Sequence, residues 1–208
     1  MSDDNQIQQL IDYFSLFTEK ELTNQFGNKG TSMHKLFKRQ FKIHYNNYEH
    51  MMPDDLSKRH GINSIFVMAL DDVMCEVRAS FTELKNTVLS IYRAMLNDYF
   101  TIETQKLKQS QNPWKEFVDW IKKNNQANYA NDYFQVIEVE QEAGCYGFDI
   151  RRCLYFDILR ESGKPELGPI LCEYDNILAD FVKSWIGFTR YETIATGDKR
   201  CDFRYCKA

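Results

Sequence analysis

Proline and glycine are scarce in this chain: 4 and 9 of 208 residues. No stretch rich in Pro, Gly and Ser divides it, so no linker is visible. One domain over 1–208, or two closely merged halves, is the expectation. Long apolar runs are also missing, and none approaches the ~20 residues needed to cross a bilayer. The start, Met-Ser-Asp-Asp-Asn-Gln, is acidic and polar, unlike the basic and then apolar opening of a secretory leader. A cytoplasmic location without a membrane partner follows as an expectation. The six cysteines are then expected to be reduced, and to need packing, metal or catalytic explanations.

Other absences narrow the chemistry. The net charge is only −4, and no basic stripe interleaves with aromatics, so nucleic acid is not an expected partner. Lys35, Lys38, Arg39 and Lys42 do cluster, but at helical spacing, which reads as a solvated helix face. There is no G-x-G-x-x-G, no P-loop and no G-x-S-x-G, so nucleotide cofactors and serine-hydrolase chemistry have no support. Neither C-x-x-C nor H-x-x-x-H occurs.

What is present is an aromatic, helix-forming chain. Phe and Tyr supply 15 and 12 residues, and the hydrophobic share is 43%, which is a globular composition. Ile7, Leu10, Ile11, Phe14 and Phe17 repeat at helical spacing over 3–26. A second helix is expected from about Thr31 to Tyr48. A short helical turn follows from Pro53 to Gly61, and an apolar helix from Asn63 or Ser64 to about Val77. Ser80-Phe-Thr-Glu83 is a capping-box sequence opening a long helix. Asn112-Pro113 is an N-cap and N1 pair for the next one. After Asn131 the pattern changes, with strands expected over Phe134–Glu140 and Cys145–Arg152. Helix is expected over Cys153–Glu161 and Pro169–Trp185, the latter broken near Asp175. A final pair of strands, Phe188–Thr196 and Arg200–Lys207, is joined at Gly197-Asp198-Lys199. The predicted class is α+β: a helical N-terminal two-thirds packed on a small antiparallel sheet from the C-terminal third.

That last third concentrates reactive side chains. Cys153, Cys172 and Cys201 each have an acid within a few residues. A buried cysteine is most often a small hydrophobe, and Cys75, Cys145 and Cys206 are assigned to ordinary packing. In the last strand Cys201, Phe203 and Tyr205 share one face, and Asp202 and Arg204 the other. Cys153 follows Arg151-Arg152, which favours a thiolate, whereas Glu173 and Asp175 disfavour one at Cys172. Cys153, Cys172, Asp175 and Cys201 are a chemically available thiolate-rich metal set, yet their spacing gives a divalent metal no support. Asp175 also reads as a helix cap, and Asp198 as a turn residue. Arg190 and Arg204 either pair with Glu192 or Asp202 across the ladder or clamp a substrate carboxylate.

Cys153, Leu171-Cys172-Glu-Tyr-Asp175, Thr189-Arg190-Tyr-Glu-Thr193-Ile-Ala-Thr-Gly197-Asp198 and Cys201-Asp202-Phe203-Arg204 together resemble the L-2-amino-thiazoline-4-carboxylic acid hydrolase family. The resemblance is specific over roughly the last 60 residues, within the size of one substructure. It implies hydrolytic opening of a cyclic isothiourea bearing a carboxylate. Such chemistry needs a nucleophile, a proton-shuttling carboxylate and a cation. The chain offers Cys172 or Cys153 for the first, Asp175 for the second, and Arg190 or Arg204 for the third. Thr193 and Cys201 complete the substrate-binding set. The competing expectations are a non-catalytic small-molecule-binding or sensor domain of vinyl-reductase type, with a cysteine-lined pocket, and an interaction module able to form a homodimer.

Overall fold

The computed structural model describes residues 3–208, with side chains from Ile7 onward. The elements run α1 (Asp3–Phe26), α2 (Asn28–Tyr48), α3 (Asp55–Glu76), α4 (Phe81–Lys108), α5 (Pro113–Asn128), β1 (Val136–Val139) and β2 (Cys145–Ile150). They continue with α6 (Leu154–Glu161), α7 (Gly168–Cys172), α8 (Asp175–Val182), β3 (Ile186–Thr189) and β4 (Cys201–Lys207). The class is α+β, as the sequence pattern predicts. The chain resolves into two compact units, residues 1–95 with 155–171, and residues 96–154 with 172–208.

In the first unit the core is built on α3. Ile62, Ile65, Phe66 and Leu70 are fully buried there. Phe66 packs against Phe14 of α1 at a ring separation of 4.8 Å and against Tyr92 of α4 at 5.4 Å. The sequence pattern splits this helix at Gly61, but α3 runs through it unbroken. The reason is packing: a Cβ at Gly61 would come within 2.1 Å of Met52 Sδ and 2.9 Å of Ile158 Cδ1. Glycine costs roughly 1 kcal/mol in a helix interior, and here the close approach of neighbours offsets it. The capping box ahead of α4 forms as its sequence suggests, with Ser80 N–H donating to Glu83 Oε2 at 2.7 Å and Glu83 N–H to Ser80 Oγ at 3.2 Å.

In the second unit the four strands form an antiparallel sheet in the order β1-β2-β4-β3. Alternation along β4 places Cys201, Phe203 and Tyr205 on its buried aromatic face. Phe203 stacks on Phe148 at 4.8 Å, and Tyr205 meets Phe188 at 5.0 Å and Phe117 of α5 at 5.3 Å. Three expectations fail in the structure. Cys145 and Cys206, directly opposed across β2 and β4, form a disulfide rather than two packed thiols. Register brings them together, which a strand pattern without its partner does not reveal. Cys75, also assigned to packing, is exposed on α3 beside Asp71. The tight hairpin at 197–199 is likewise replaced. β3 pairs with β4 only from Ile186↔Lys207 to Thr189↔Arg204, leaving residues 190–200 as a long loop.

Candidate active site

That loop is fixed from inside by carboxylates. Asp202 Oδ1 accepts the backbone N–H groups of Tyr191 (2.8 Å) and Glu192 (2.6 Å). Asp198 Oδ2 accepts from Thr193 N–H at 2.9 Å and Thr196 Oγ1 at 3.0 Å. Gly197 turns the chain with φ of 99°, in the left-handed region glycine tolerates best. Asp198 is thus the turn residue its position suggests, and Asp202 is a loop anchor. The scaffold holds Arg190 at the mouth of the loop, its guanidinium 5.3 Å from the centre of the Phe203 ring.

Arg190 gathers the other groups. Its Nη1 pairs with Asp175 Oδ2, and its Nη2 donates to the Cys172 carbonyl at 2.7 Å. Asp175 opens α8, and no side chain caps that helix; its carboxyl is committed to Arg190 instead. The Arg190 side chain is 8% accessible, whereas that of Asp175 keeps 30%. Asp175 Oδ1 makes no hydrogen bond with a described residue. Burial pushes the Asp175 carboxyl up to about 6, against the opposing pull of Arg190. Burial likewise pushes the Cys172 thiol up to about 12; Arg190 opposes this, while Asp175 and Cys201 add to it. Thr193 reaches the same thiol and favours its ionised form. Cys201 is raised too, chiefly by burial, although its sulfur accepts the Ile194 N–H at 3.3 Å.

Cys172, Asp175, Arg190, Thr193 and Cys201 therefore form one group. Cys153 lies at the β2–α6 junction, half-buried. Arg204 lies on the other face of β4, where its Nη2 donates to Asp149 Oδ1 at 2.8 Å and its Nη1 to the carbonyls of Phe148 and Phe203. Neither arginine takes the ladder partner its position suggests: Arg190 pairs with Asp175 and Arg204 with Asp149. Among the described residues, no group of three or more His, Cys, Asp or Glu side chains is placed to hold a metal ion.

One member escapes a reading based on reactive residue types. Tyr205 is 4% exposed, and its hydroxyl makes no hydrogen bond with a described residue. Among the described residues, the fully enclosed, unpaired polar side-chain atoms are His44 Nδ1, Asn125 Nδ2 and Tyr146 Oη, so the Tyr205 hydroxyl keeps a contact with open space. Burial and the Asp175 charge both push its pKa up, which fixes it as a neutral donor near that carboxyl. The available signal is its place on the same face of β4 as Cys201.

The α+β fold thus sets a partly accessible, weakly ionising carboxyl beside two protonated thiols and a buried guanidinium, the kind of perturbed group that clusters at functional sites. The family model described as L-2-amino-thiazoline-4-carboxylic acid hydrolase matches residues 59–205, and the chain belongs to that family. No curated protein and no solved structure shows significant similarity to it. No helix among the described residues is long and apolar enough to cross a membrane.

Proposed function

We propose that the protein hydrolyses a small cyclic amidine or isothiourea of the aminothiazoline carboxylate type, with Asp175 as the acid–base group. The observation that carries this reading is the Asp175 carboxyl. It is held on one oxygen by Arg190, accessible on its other side, and pushed up to about 6. Such a group is mostly ionised at neutral pH yet basic enough to take a proton, the condition general-base catalysis needs.

The electrophile is the ring carbon between nitrogen and sulfur. A water oxygen bonds to it as the C=N π pair moves onto the nitrogen of the protonated amidinium, while Asp175 accepts one water proton. On collapse, the added hydroxyl loses its proton to solvent as the C=O bond forms, and the ring bond to sulfur or to nitrogen breaks with its electron pair staying on the departing heteroatom. The proton from Asp175 then passes to that atom, and the product contains one water more than the substrate. Water is favoured over Cys172 as nucleophile because burial keeps that thiol protonated. Cys172, Cys201 and Thr193 then shape the pocket. Arg190, engaged with Asp175 and the Cys172 carbonyl, is a positioning residue, and the Tyr205 hydroxyl donates to a substrate heteroatom.

The test is incubation with 2-aminothiazoline-4-carboxylate, with and without divalent metal, following the hydrated product by mass and new thiol by colorimetric titration. Turnover is expected from the natural protein and a loss of roughly 10²–10⁴-fold from Asp175→Asn. A folded protein that produces no hydrated product under either condition defeats the named substrate. Unimpaired turnover by Asp175→Asn defeats the role of the carboxyl. Binding without turnover, preserved in Cys172→Ser, is the result expected of a vinyl-reductase-type sensor domain.

A further inference from the structure

The first unit carries a cavity of about 550 Å³ at α1, α2 and the start of α3. Small-molecule sites typically enclose roughly 300–1,000 Å³, so the volume suits a ligand rather than a trapped water. Its lining residues all fall between positions 7 and 58. The family match begins at residue 59, so the family's reaction gives no account of this space.

The lining has two parts. Ile7, Phe37 and Phe41 are buried and apolar. Lys38 and Lys42, one turn apart on α2, and Lys58 in the first turn of α3 supply three ammonium groups. None of the three makes an ion pair with a described residue. Lys115, Lys122, Lys164 and Lys183, by contrast, each pair with a carboxylate. Asp12 and Glu49 also line the cavity, so three positive and two negative side chains leave an excess of one positive charge. Ser15 adds a hydroxyl, held in place by His34 Nε2 at 2.9 Å.

An apolar floor rewards a hydrocarbon body, and ammonium groups without a carboxylate partner among the described residues reward an anionic head. We propose that this cavity binds a small organic anion with an apolar body, an alkyl or aryl carboxylate. The carboxylate sits at Lys38 and Lys42 and the tail against Phe37 and Phe41. The basic cluster at 35–42 is therefore more than a solvated face: Lys35 and Arg39 are exposed and do not line this cavity, while Lys38 and Lys42 rim it.

The probe is decanoate, titrated calorimetrically into the full-length protein below its micellar concentration. Decyltrimethylammonium serves as the charge-reversed control with the same tail. One-site binding of decanoate is expected, roughly tenfold or more tighter than the cation, with a similar loss in Lys38→Glu/Lys42→Glu. Circular dichroism and melting of that variant should match the natural protein, since both side chains are exposed. Equal binding of the two amphiphiles, absence of decanoate binding, or unchanged affinity in a folded variant each overturns the proposal. The anion-versus-cation comparison needs no variant, so it decides the matter even if the substitutions disturb folding.

Discussion

β4 separates two aspartates with opposite fates. On one face Asp149, its side chain 1% accessible, is met by Arg204 on Oδ1 and by Arg151 and Arg200 on Oδ2. On the other face Asp175 has a single guanidinium partner and 30% of its side chain accessible. A carboxylate whose two oxygens are both held by fixed guanidinium groups is a structural joint, because neither oxygen is left for another partner. A carboxyl that keeps one oxygen open, and is pushed up to about 6, has the means to exchange protons. Burial and ion pairing occur at both; the number of partners per oxygen is what differs.

Amide substitution should therefore change stability with opposite sign at the two sites. Asp149→Asn leaves three guanidinium groups without their common counter-charge, and a loss of about 3–5 kcal/mol is expected, the usual consequence of breaking a buried ion pair. At Asp175 the folded-state pKa lies above the ordinary aspartate value of 3.8, at about 6. A group raised in this way contributes stability that is full below pH 4 and lost as pH rises from there through 6. The neutral isostere in Asp175→Asn does not suffer that loss. It should be more stable than the natural protein at pH 7, by at most about 3 kcal/mol, and equal to it near pH 4. Urea unfolding at both pH values reads both predictions. A destabilised Asp175→Asn at pH 7 would make Asp175 a second structural joint and end the contrast.

The next effect is on titration. Arg190 is the charge that holds the Asp175 carboxyl down against burial. Arg190→Met should move the acidic limb of the kcat/KM profile upward from about 6, by roughly one unit or more. Activity measured well above that limb should fall less than activity at pH 6. A limb that stays in place while activity falls uniformly would give Arg190 a substrate-binding role instead, the clamp its sequence position suggests.

How much of this contrast the sequence displays depends on what each feature needs. Local signals are legible: the Ser80–Glu83 box, the Asn112 cap that accepts the Lys115 N–H, and the alternation that sets Cys201, Phe203 and Tyr205 on one face. Cys172, Asp175, Arg190 and Cys201 also stand out, since they fall within a short stretch of chain. Features that depend on register are hidden. Alternation shows that Arg204 leaves the Cys201 face, but only the β2–β4 pairing brings it to Asp149 and joins Cys145 to Cys206. Gly61 reads as a stop because its neighbours, Met52 in the preceding turn and Ile158 far along the chain, meet it only in the fold. The loop at 190–200 mimics a strand because its backbone donors are met by Asp202 and Asp198 side chains, a satisfaction that apolar periodicity does not encode.

The smallest effect concerns Tyr205, and it tests whether the Asp175 face is a working surface or a polar flaw in an aromatic core. The ring is packed by Phe188 and Phe117, and Tyr205→Phe preserves that packing. Because the hydroxyl makes no hydrogen bond with a described residue, its removal leaves no partner unsatisfied. Folding stability should change by less than about 1 kcal/mol. A donor that meets substrate behaves differently: losing one hydrogen bond to the reacting molecule should lower kcat/KM by roughly 5–20-fold. Measured together, a melting temperature that holds and a kcat/KM that falls place the hydroxyl on substrate. The reverse pattern would assign it to a contact made inside the fold, and the hydroxyl would then be no part of the Asp175 surface.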